Sequence, residues 1–147
     1  LDMKNFSSNA SIYFSDPSCP FTRIYEPKNR SDQMSPKEKT SIVIEVPMGD
    51  RNIDESLSKE NIYEKVIKYL KSEKLLDEEK IINYKLVKVN DAYPIITIDS
   101  KHKIKIIKNY LAKFKNLDLI GRNATFEYLH THDIMERSRA LINKMAS

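Results

Sequence analysis

The chain has 147 residues, 40% of them hydrophobic, and Lys+Arg 25 against Asp+Glu 21 gives a formal charge of +4. The length fits one domain or a piece of a larger protein, and the interspersed charges describe a solvated surface, so nucleic acid is not an expected partner. One cysteine excludes an intrachain disulfide, no apolar run reaches the ~20 residues of a membrane span, and two glycines exclude a GxGxxG or GxxxxGK phosphate loop within this chain.

The first half reads as strands. Residues 10–14 (ASIYF) are β-rich and run into the turn SDPSCP. Residues 21–27 alternate, with Phe21, Arg23 and Tyr25 on one side and Thr22, Ile24 and Glu26 on the other. Residues 28–39 form a polar loop without apolar period, and 40–47 (TSIVIEVP) are a β-branched strand closed by Pro47. Glu45, within it, reads as solvent-facing. The period then switches. Ile62, Val66, Tyr69, Leu70 and Leu76 follow helical spacing, and Ser58 is the expected N-cap.

Residues 81–89 (IINYKLVKV) alternate again and predict a strand, and 91–99 predict a second extended piece, with Pro94 holding Tyr93 out of helix. Residues 100–114 predict a helix with Ile104, Ile107, Leu111 and Phe114 on one face and lysines in water. Residues 116–121 (NLDLIG) predict a short buried strand, and 131–145 a last helix with Thr131 or Asp133 as its cap. The predicted order is β-β-β-α-β-β-α-β-α. The predicted class is α+β, with a mainly antiparallel, mixed sheet covered by helices.

Gly121 and Arg122 stand out because the chain is so poor in glycine, far below the usual ~7%. Glycine at a strand end lets another group approach the backbone, the helix that follows offers free N–H groups, and arginine can grip phosphate or carboxylate with two bonds. His130 and His132, with Asp133 adjacent, lack a third ligand at helical or hairpin spacing, so no metal site is expected.

The stretch NLDLIGRNATFEYLHTHD (116–133) resembles the C-terminal flavin-binding segment of the FAD-dependent amine oxidoreductase group, which includes UDP-galactopyranose mutase-like and protoporphyrinogen oxidase-like proteins. Upstream, DPSCPFTRIYEPKNRSDQMSPKEKTSIVIEV resembles the group's substrate-domain stretch, and VKVNDAYPIITID its tyrosine-proline strand. The matches fall in order along nearly the whole chain. The resemblance implies that Gly121 passes close to FAD, and that Arg122 and Asn123 lie near its pyrophosphate or ribityl chain. His132 and Asp133 would open the helix facing the flavin side, and Arg23 and Tyr93 would lie toward flavin or substrate.

Two departures stand beside the likeness. Ala124 occupies a position where the group often has a second glycine. Residues 129–132 (LHTH) replace an asparagine-rich run, which moves the acid to Asp133 and points away from a strict galactopyranose mutase. The group's N-terminal dinucleotide-binding unit has no counterpart here. Together with the start at Leu1, this predicts the C-terminal part of a longer cytoplasmic flavoprotein. Residues 1–115 would be the substrate-domain part, and 116–147 the strand-loop-helix that completes the FAD-binding domain.

The implied activity is oxidation of a small-molecule substrate by hydride transfer to the flavin. The alternatives are a flavin-dependent sugar-nucleotide mutase and a non-enzymatic α+β binding module. The piece alone is expected to be inactive, not to retain FAD, and to favour a homodimer through the unpaired 117–120 edge.

Overall fold

Ser11–Tyr13 (β1), Arg23–Tyr25 (β2) and Val43–Glu45 (β3) pair as an antiparallel sheet in the order β1-β2-β3. The computed structural model describes residues 1–49, 53–54, 56–90 and 92–146. Ile12 faces Ile24, which faces Ile44, so three β-branched residues form one row across the sheet. The next row is Tyr13, Arg23 and Glu45. The period of two sends this row to the opposite face.

The chain divides into two compact units, Leu1–Val87 and Lys88–Ser147. In the first, the helix Lys59–Ser72 (α1) covers the sheet face that carries Ile24. Ile62, Val66, Ile67 and Leu70 are its buried positions, and the last three pack with Cys19, Phe21, Ile24 and Leu76. Phe21 lies at the centre, edge-on to Phe14 at 4.9 Å and to Tyr69 at 5.5 Å. Strict alternation would have put Phe21 with Arg23. It joins the core instead because the strand begins only at Arg23.

Ser58 caps α1 as expected, its side chain accepting the Asn61 N–H at 3.1 Å. Ser58→Ala is expected to destabilise this unit by ~1 kcal/mol, read as a lowered midpoint in urea unfolding. The helix ends earlier than residue 76. Lys74 takes a left-handed φ of 55°, and the N–H groups of Leu75 and Leu76 turn back to the Leu70 carbonyl, which delivers Leu76 to the core.

The second unit is helical: Ile98–Leu111 (α2), the single turn Arg122–Thr125 (α3) and Thr131–Ala146 (α4). Thr97 and Ser100 form a reciprocal capping box at the start of α2. Glu127 holds both long helices, taking Lys108 of α2 at 2.9 Å and Arg137 of α4 at 2.7 Å. These bonds, Lys108 first, keep its carboxyl below the ordinary range. Lys108 is thus not a purely solvated lysine. On the predicted apolar face, Ile107 and Phe114 are exposed while Ile104 and Leu111 are half-buried.

The α+β class and the antiparallel sheet stand, but the predicted order does not. Among the described residues, 81–89, 92–97 and 116–121 form no strand, and Ile98 and Asp99 belong to α2. Asp91, the first residue of the predicted 91–99 piece, lies outside the described residues. All three have strand-forming side chains. A strand, however, exists only as a member of a hydrogen-bonded ladder, and among the described residues none of them joins one. All pairings in the sheet are antiparallel, so it is not mixed.

Candidate functional site

Gly121 stands immediately before α3 with φ 96° and ψ 163°, a conformation that side chains rarely adopt, and a Cβ built there would meet nothing within 4 Å. The Thr125 N–H and hydroxyl both bond the Gly121 carbonyl, at 2.9 and 3.0 Å, closing the turn. Phe126 then takes a left-handed φ of 55° and reverses the chain. This reversal returns Leu129 to Arg122, whose Nε and Nη2 donate to the Leu129 carbonyl at 3.3 and 2.7 Å.

The Arg122 guanidinium also lies 5.2 Å from the Tyr93 ring centre and 4.8 Å from that of Tyr128. The two rings are close to parallel, 18° apart. An arginine held by a carbonyl and two aromatic rings loses much of its rotamer freedom. It therefore meets an anion at a lower entropic cost than a loose surface arginine.

Asp133, in the first turn of α4, accepts the His130 N–H at 2.8 Å, so it closes the helix start and Thr131 does not. His130 stacks on His132 at 5.5 Å, and the His132 side chain is exposed. Asn123 is exposed on α3. Tyr93, Gly121 and Arg122 are thus brought together, Asp133 serves the cap, and Asn123 and His132 face solvent.

Arg23 belongs to the other unit, on the sheet face away from α1. It donates to the Tyr13 hydroxyl at 3.2 Å and pairs with Glu45, and the Tyr13 bond followed by the Glu45 bond raises its pKa. Its guanidinium lies 5.1 Å from the Tyr25 ring centre, and Arg30 lies 5.4 Å from the same ring. Glu45 is therefore a partner of Arg23 rather than a free carboxylate.

Sequence reasoning missed two buried charges. Glu26 is 1% exposed and accepts the Phe6 and Ser7 N–H groups, the Thr40 hydroxyl and the Asn29 amide. Burial pushes its carboxyl up, but the bonds from Thr40, Ser7, Phe6 and Asn29 outweigh it and hold the group below its ordinary value. Lys28 is 8% exposed and its ammonium donates to the carbonyls of Lys4, Pro36, Lys37 and Lys39 at 2.7 to 3.0 Å. The only signal in the sequence was two charges flanking Pro27, which reads equally well as a surface turn. Tyr128 and Leu129 were missed for a similar reason, since only the turn at Phe126 brings them to Arg122.

The fold and sites define an α+β protein with a three-stranded antiparallel sheet and four helices among the described residues. No protein family, curated protein or solved structure matches the chain. No described helix is long and apolar enough to cross a membrane, and the described residues include no cluster of three or more His, Cys, Asp or Glu able to hold a metal ion.

Proposed function

We propose that the second unit is one edge of a flavin site in an FAD-dependent oxidoreductase of the amine oxidase type, with Gly121 and Arg122 toward the cofactor. The observation that carries this reading is the held arginine. Nε and Nη2 are committed to the Leu129 carbonyl, and Nη1 has no hydrogen bond among the described residues. The space beside Gly121, where a Cβ would meet nothing within 4 Å, leaves room for a group to approach the backbone.

In this reading Arg122 holds an anionic oxygen of the cofactor, Tyr93 and Tyr128 keep it aimed, and Asp133 fixes the start of α4. Asn123 and His132 border the same turn, and Arg23 is a substrate-side residue of the first unit. The flavin, when bound, supplies the hydride acceptor, and a dinucleotide-binding domain supplies the glycine-rich phosphate loop.

Purified by itself, the chain is expected to carry no stoichiometric flavin. Joined to a dinucleotide-binding domain of its own reading frame, it is expected to show flavin absorbance, and Arg122→Met there is expected to weaken FAD binding about tenfold or more, or ~1.4 kcal/mol. A reading frame without a strand–GxGxxG–helix unit, or a colourless joined protein, overturns the reading.

A further inference from the structure

We infer that the carbonyls of Lys4, Pro36, Lys37 and Lys39 form a monovalent-cation site of potassium size, which the Lys28 ammonium fills as a tethered cation. The four oxygens lie 3.0, 3.0, 2.7 and 2.8 Å from Nζ. An ammonium has three protons, so the acceptors outnumber the donors, and the set is held by charge as well as by individual bonds. Carbonyl oxygens converging on one point are the arrangement that replaces the hydration shell of a potassium ion. Potassium and ammonium are nearly equal in size, while sodium and lithium are smaller.

The surroundings call for a positive charge, tethered or not. Lys28 is the one buried cation among the described residues, and Glu26, on the other side of Pro27, is the one buried anion. Glu26 bonds the Thr40 hydroxyl, and Lys28 bonds the carbonyl of the preceding Lys39. Without the ammonium, a buried carboxylate and four carbonyl oxygens would share one neighbourhood with no buried cation, which is costly. An ion from water can supply that charge, because Lys4, Pro36, Lys37 and Lys39 are exposed residues and the cage lies close to solvent. The ammonium groups of Lys4, Lys37 and Lys39 weaken the site without blocking it, since salt screens exposed charges.

The test is rescue of the full chain by added cations. Lys28→Ala and Lys28→Val both remove the ammonium and leave room for an ion with its water, and valine keeps more of the stem's packing. Urea unfolding is followed in lithium, sodium and potassium chloride at equal ionic strength. Potassium is expected to raise the folded-to-unfolded ratio of both variants about tenfold or more over lithium. The parent, whose site is filled, is expected to show no such difference. A variant unfolded in lithium is read by circular dichroism for refolding in potassium, and the same outcomes apply. Propylammonium, which rebuilds the stem lost in Lys28→Ala, reports whether the emptied site admits a cation at all. Rescue by propylammonium but not by potassium shows a site that needs N–H donors. Equal effects of the three metal ions show general salt stabilisation, and no rescue by any cation shows a cage that collapses without its tether. Each of these three results overturns the proposal.

Discussion

Lys28→Met is expected to cost the first unit about 3–5 kcal/mol, a large part of the stability of a small domain. Methionine preserves most of the volume of the stem, so packing changes little and the loss isolates the ammonium. An ammonium has three protons, and in this protein four carbonyls share them, from Lys4, Pro36, Lys37 and Lys39. Removing the donor leaves buried oxygens facing one another with no hydrogen, and each such group costs roughly 1–3 kcal/mol. The ammonium also fastens the amino-terminal segment to the 36–39 loop, so both should loosen together. Denaturant unfolding gives the magnitude, and hydrogen exchange over 1–10 and 30–40 gives the location. A loss under ~1 kcal/mol would mean that water replaces the ammonium, and the cage account would be wrong.

Glu26→Ala is expected to cost about 3 kcal/mol or more, because it strands two backbone N–H groups, a hydroxyl and an amide in a buried place. The pH dependence follows from the direction of its shift. The folded carboxyl is held below its ordinary value, so the unfolded chain takes up the proton first as pH falls. The stabilisation is therefore complete above the unfolded value of ~4.3 and is lost as pH falls below it. Glu26→Gln should be less stable than the parent at pH 7 and should show a flatter decline on acidification. Parallel declines for the two proteins would place the acid sensitivity elsewhere.

The elements legible in the sequence were those whose partners lie close by in the chain or whose pattern is long. Ser58 and the apolar spacing that follows fixed α1 without reference to anything distant. Residues 43–45 were legible because β-branched residues had a neighbouring strand within reach. Residues 81–89 carried an equally clear pattern and did not become a strand, since the pattern states readiness to pair and not that a partner exists. At the candidate site, the sequence singled out Gly121 and Arg122. It did not show that Tyr128 and Leu129 would grip the arginine, because that depends on a left-handed Phe126 for which propensity gives no warning.

The sequence by itself determined the class, the starts of α1 and α4, and the impossibility of a glycine-rich phosphate loop within these residues. These follow from composition and from interactions a few positions apart. Only the tertiary structure decided the roles of Glu26 and Lys28. A charged residue in a turn reads as solvated until distant backbone groups, from residues 4 to 7 and 36 to 40, are seen to converge on it. Burial of charge is a property of what surrounds a residue, and those surroundings come from parts of the chain that local sequence does not name.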